Sequence, residues 1–145
     1  MTTTLPKVAE IPASAKWYLI DAADQTPGKV AVEAARHLTG KHRADFTPHL
    51  DLGDGVIVIN AEKVRFTGKK LTDKTYYRHS GYRGHLKETN PKELLEKKPK
   101  RVLELAIRGM LPKNKLKDNR INRLKIFVGA DHTHEAQKPE IIELT

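Results

Sequence analysis

Gly55-Val56-Ile57-Val58-Ile59-Asn60 carries β-branched residues at alternate and intervening positions alike, the pattern of a strand buried on both faces. Working back from it, Trp17-Tyr18-Leu19-Ile20 is a short apolar run, closed by Asp21 and the turn Gln25-Thr26-Pro27-Gly28. From Lys29 the pattern turns helical: Ala31, Ala34, Ala35 and Leu38 share one face, and Gly40 stands where a left-handed cap would end the helix. Strand, helix and buried strand make a βαβ unit, which implies parallel pairing and a right-handed crossover. The link from Lys41 to Asp54 is longer than the usual two to six residues, and it carries Lys41-His42-Arg43, Phe46 and His49. A loop of that length and content predicts function.

Working forward, Val64 to Lys70 reads as an extended piece with a basic turn, and Lys74 to His79 as a further strand. A flexible stretch, Ser80-Gly81-Tyr82-Arg83-Gly84-His85, follows. Asn90-Pro91-Lys92-Glu93 is a helix start, with a capping side chain, proline at the first helical position and a glutamate able to reach back. A second helix is expected from Pro99, burying Val102, Leu103, Ala106, Ile107 and Met110. It must stop at Pro112, which lacks a donor. A short basic helix is expected within Asn114 to Arg123, a last strand over Lys125 to Gly129, and a mostly irregular tail from Ala130 to Thr145.

The charge has an address. Between Lys97 and Lys125 eleven Lys and Arg face two acids, a local +9 that equals the formal charge of all 145 residues. A pI near 9.8 points to a polyanion. Nucleic acid is favoured over membrane, because no apolar run nears the roughly 18 residues of a spanning helix. Pro99 and Pro112 also break the cationic segment. The chain has no cysteine, which removes disulfides, thiolate metal sites and thiol nucleophiles and suits a reducing compartment. Met1 to Lys16 has neither the basic-then-apolar pattern of a secretory signal nor an arginine, and reads as an arm, ordered on contact or disordered. At 145 residues the chain fits one domain.

Several motifs reduce to simpler readings. His132-Thr133-His134 could aim two imidazoles at one metal, but a zinc site needs three or four ligands, so contact with phosphate or packing under the tail is expected instead. Asp21 with Asp24 and Asp51 with Asp54 are read as turn chemistry rather than acid–base pairs. Gly53-Asp54-Gly55 precedes a strand and lacks the third glycine of a dinucleotide fingerprint. On residues alone, a nucleic-acid-binding protein leads, with a metal-dependent or nucleotide-using α/β enzyme and a scaffold for an acidic partner as alternatives.

Several separated motifs occur in order: Trp17-Tyr18-Leu19-Ile20-Asp21-Ala22, Gly40-Lys41-His42-Arg43, Tyr77-Arg78-His79-Ser80-Gly81, Gly109-Met110-Leu111-Pro112-Lys113, Leu124 to Gly129 and His132 to Pro139. Across about Trp17 to Pro139 the chain resembles the large-subunit ribosomal protein thirteen family of bacterial type. That resemblance implies a three-layer α/β/α fold around a mainly parallel four-stranded sheet. It implies an arm over residues 1–16, an RNA-binding domain over 17–129 and a tail over 130–145 packed on the domain or on RNA. The implied role is structural and not enzymatic, with no cofactor, no metal, no membrane and no small-molecule substrate. The implied partners are large-subunit ribosomal RNA, bound early in assembly, and neighbouring ribosomal proteins. The implied place is the ribosome of a bacterial cytoplasm or of an organelle. Carried over residue by residue, RNA contact falls to Lys41, His42, Arg43, Lys69, Lys70, Arg78, His79, Arg83, Arg108, Lys113, Lys115, Lys117, Arg120, Arg123, His132, His134 and Lys138. Tyr82 is the candidate for stacking on a base, with core packing the equal alternative. The sequence departs from the family pattern at Pro27-Gly28-Lys29-Val30 and at Thr133.

Overall fold

The computed structural model describes residues 15–144; the expected arm, apart from its last two residues, lies outside them. Strand β1 (Trp17–Asp21), helix α1 (Pro27–Thr39) and strand β2 (Gly55–Ile59) form the expected parallel unit. Helix α1 begins two residues earlier than the pattern placed it. Thr26 accepts the Lys29 N–H at 3.5 Å, and Pro27 occupies the first turn, where its missing donor costs nothing. Gly40 closes the helix at φ 80°, and a Cβ there would lie 2.7 Å from the Leu52 carbonyl oxygen.

Beyond β2 come the one-turn helix α2 (Lys70–Asp73), strands β3 (Tyr76–His79) and β4 (Leu86–Thr89), and helices α3 (Pro91–Lys97) and α4 (Pro99–Met110). Helix α5 (Lys117–Asn122), strand β5 (Leu124–Ile126) and strand β6 (Glu140–Ile142) complete the order. The main sheet runs β5-β2-β1-β6 with every pair parallel; β3 and β4 make a separate antiparallel ribbon. Two strands were not foreseen. The stretch Ser80 to His85 is the tip of a hairpin, so Leu86–Thr89 pairs back on β3. The tail expected to be irregular supplies β6 on the edge beside β1. Three residues are too few for their pattern to announce a strand.

One face of the sheet buries Ile20, Val56 and Val58 against Ala31, Ala34 and Leu38 of α1 and Leu103 and Ile107 of α4. Met110, expected on this face, is 45% exposed. Leu19 and Ile57 point the other way, and the chain from β5 back to β6 crosses that side. There His134 stacks on Trp17 at 5.8 Å and meets Phe127 at 5.7 Å. The domain is thus α/β with a four-stranded parallel sheet flanked by helices, the third layer being thin and built around the single turn Glu135–Gln137.

The long loop 41–54 is fastened by carboxylates, not merely turned by them. Asp54 is 1% exposed and accepts from the Lys16 backbone N–H (2.9 Å), His42 Nε2 (2.8 Å) and Arg43 Nη1 (3.4 Å). Asp51 takes Arg123 through both oxygens, at 2.6 and 2.9 Å, and Arg120 Nε at 3.4 Å. Between them Gly53 passes so close to the end of α1 that a Cβ would lie 1.8 Å from the Leu38 carbonyl oxygen. Burial pushes the His42 imidazole below its ordinary value, and the His37 ring stacked 4.4 Å away adds to the effect against the pull of Asp54. Tyr18 lies across both imidazoles, at 4.5 Å from His37 and 5.5 Å from His42, and Arg43 completes the charged groups around the pair.

Three outcomes follow from this fastening. Gly53→Ala forces backbone apart and should cost about 2–4 kcal/mol in urea unfolding. Asp51→Ala leaves the Arg120 guanidinium buried without its counter-charge and should cost about 3–5 kcal/mol by the same measurement. For His42 the folded chain holds a proton less readily than the unfolded one, so its contribution is full above about pH 6.5 and is lost as pH falls through the lowered value. Unfolding free energy should therefore drop on acidification, and His42→Gln should flatten that part of the profile.

Candidate nucleic-acid interface

Helix α4 ends because Pro112 cannot continue it: Leu111 takes extended angles and donates its N–H to the Ile107 carbonyl at 3.1 Å. The chain then turns through Lys113, Asn114 and Lys115, all exposed, into α5. Within α5 the two arginine positions fall three apart, Arg120 and the capping residue Arg123, and so share a face. That face turns inward onto Asp51. The lysines that precede it do not: Lys113 and Lys115 are exposed and Lys117 half-buried, and none is in an ion pair among the described residues.

This arrangement divides the cations that composition counts together. Arg120, expected at the RNA surface, is instead 2% exposed and serves as an internal counter-ion of Asp51. Arg123 is half-buried on the same carboxylate. His42 and Arg43 are each 17% exposed and engaged by Asp54, and Arg43 also pairs with Asp45 at 3.0 Å. These three therefore shape the surface more than they populate it.

The remaining candidates stand outward. Lys41, Lys69, Lys70, Arg78, His79, Arg83, Arg108 and Lys138 are exposed, and Tyr82 is 75% exposed. Tyr82 therefore packs in no core, and its ring meets that of His85 edge-on at 6.2 Å. His132 and His134 are half-buried against Phe127, and the His134 N–H donates to His132 Nδ1 at 3.3 Å. Among the described residues no group of three His, Asp or Glu side chains is placed to hold a metal ion.

Two distant stretches of sequence meet here. Asp51 ties the loop 41–54 to α5, and Lys41 lines the same groove of about 360 Å³ as Arg36, Met110 and Pro112. The first basic loop and the break after α4 thus share one surface. Lys69 and Lys70 sit beside α3, which α2 contacts, and the β3–β4 ribbon carries Arg78 and Arg83 on its own. Two exposed lysines outside the sequence-derived set are held over rings, Lys74 over Tyr76 at 5.0 Å and Lys100 over Phe127 at 5.5 Å. The i, i+2 spacing of Lys74 and Tyr76 at a strand start is a signal for the first; nothing local signals the second. Chemically, the arrangement offers permanent cations in no ion pair among the described residues, together with the exposed rings of Tyr77 and Tyr82. It suits a long anion better than a small substrate.

Comparison with known proteins agrees with this geometry. Residues 15–133 match the family described as ribosomal protein L13. The large ribosomal subunit protein uL13 of Thioalkalivibrio sulfidiphilus is 48% identical over 144 residues, covering 99% of this chain and all of the relative. That of Symbiobacterium thermophilum is 53% identical over 129 residues, covering 89% and 90%. That of Kocuria rhizophila is 51% identical over 145 residues, covering 100% and 97%. With a family match over most of its length and relatives of this identity end to end, the chain belongs to the ribosomal protein L13 family.

Proposed function

We propose that this protein is a structural constituent of the large ribosomal subunit that binds large-subunit ribosomal RNA and supports early subunit assembly. The observation that carries the reading is the run of unpaired cations after Pro112, joined through Asp51 to the basic loop at Lys41. Cations with no carboxylate partner gain little within the fold. Against phosphates they release condensed counterions, which supplies affinity without a pocket. Like the family to which it belongs, the chain is a structural protein and not an enzyme.

Lys41, Lys69, Lys70, Arg78, His79, Arg83, Arg108, Lys113, Lys115, Lys117 and Lys138 are the phosphate-facing groups in this reading, with Tyr82 stacking on an unpaired base. His132 and His134, half-buried, contribute from the edge of the third layer. His42, Arg43 and Arg123 hold the loop in the shape the RNA meets. Neighbouring large-subunit proteins are the remaining partners. The bacterial relatives favour a cytoplasmic ribosome, and among the described residues no helix is long and apolar enough to cross a membrane.

Binding to transcribed large-subunit ribosomal RNA should weaken steeply with salt. If about six cations meet phosphate, the log–log slope should be roughly −4 to −5; a flat dependence would remove the electrostatic basis of the reading. Reversing Lys113, Lys115 and Lys117 together to glutamate should weaken binding by more than about a hundredfold near 0.15 M salt. The far-ultraviolet spectrum and the urea midpoint should stay unchanged, because those side chains hold nothing in the fold.

A further inference from the structure

The β3–β4 ribbon places two cations directly opposite each other. In its register Arg78 pairs with Lys87, Tyr77 with Glu88 and His79 with Leu86. Directly opposed side chains on one face have Cβ atoms about 4.5–5.5 Å apart, and like charges in that position destabilise a strand pair. Side chains alternate along each strand, so Arg78 and Lys87 share a face with Tyr76 and Thr89. The only acid on the ribbon, Glu88, faces the other way. Arg78 and Lys87 are exposed and in no ion pair among the described residues. Lys74, over the Tyr76 ring at the base of the same strand, adds a third positive charge.

A two-stranded ribbon has little stability of its own, and this one contacts the rest of the domain sparsely. An opposed cation pair is a poor choice for such an element unless an anion sits across it. We propose that Arg78 and Lys87 form a two-armed clamp for a single RNA backbone phosphate, and that the ribbon reaches full order only when that phosphate is in place. This rests on the RNA-binding reading and extends it to Lys87, a residue outside the sequence-derived set. Nothing in Leu86-Lys87-Glu88 signals this locally; the pairing with Arg78 does. The opposite face carries Tyr77 at 65% and Leu86 at 53% exposure, so of the ribbon's apolar groups the clamp face holds Tyr76, which Lys74 covers.

Salt titration of the full-length chain against transcribed large-subunit ribosomal RNA tests the clamp. The double variant Arg78→Met, Lys87→Met should flatten the log–log slope by roughly 0.7–0.9, the amount for one phosphate. An unchanged slope, or a change about twice as large, as for two separate phosphates, overturns the clamp. In the free protein, Lys87→Met should slow amide hydrogen exchange across Tyr76–His79 and Leu86–Thr89 by about two- to threefold, because the repulsion is gone. Unchanged or faster exchange there also overturns it. Wild-type protein measured alongside separates the two levels. Wild-type binding with an unaltered variant slope removes the clamp alone, whereas absence of wild-type binding removes the ribosomal reading with it.

Discussion

The pair of carboxylates Asp51 and Asp54 is the constraint from which the rest of this molecule takes its shape. A parallel sheet requires the chain to return to the starting end after each strand, and here the return from α1 to β2 takes fifteen residues, 40–54, with no helix or strand of their own. Such a loop contributes little apolar burial against its conformational entropy. The two carboxylates offset that cost. Asp54 gathers β1's entry at Lys16, the end of α1 through His42, and Arg43; Asp51 reaches α5 across some seventy residues of sequence. Removing Asp51 would free the loop from α5, and removing Asp54 would free it from the entry to β1.

Position decides what each charge does, and the magnitudes separate the cases. An exposed ion pair contributes up to about 1 kcal/mol, while breaking a buried one costs about 3–5 kcal/mol. Arg120, at 2% exposure, belongs to the second class, and its charge is part of the fold. Lys113 and Lys115 belong to neither class, since neither is in an ion pair among the described residues. They add self-repulsion to a chain of net charge +9 and nothing to its packing. A sequence keeps such groups for a partner.

The α/β class, the first helix with its glycine cap and both proline-started helices were legible because each depends on local chemistry: a burial pattern, an αL position, a missing N–H. The fourth strand was not. Glu140–Ile142 is a strand only because β1 offers an unpaired edge, and its own residues carry no alternation long enough to read. The ribbon's second strand was hidden for a related reason, since glycines at 81 and 84, both with positive φ, read equally as a flexible loop and as a hairpin tip. Asp51 and Asp54 look like turn residues in sequence because their partners lie 11 or more residues away along the chain.

The interface was legible as a region but not residue by residue, and residue type explains part of the difference. Within 113–123 the cations bound to a carboxylate are arginines, and the lysines are in no ion pair among the described residues. A guanidinium is weakly hydrated and presents a planar fork that fits both oxygens of one carboxylate, as Arg123 does on Asp51. An ammonium is a compact, strongly hydrated point charge, costly to bury and suited to meeting phosphates from many directions. The rule is local, for Arg78, Arg83 and Arg108 are exposed. What distinguishes Arg120 and Arg123 is a helical spacing that puts both on one face and a carboxylate waiting opposite. A run of positive charge therefore reads as two populations once a candidate counter-ion is sought elsewhere in the chain. The cations that find one build the surface, and those that do not are the surface.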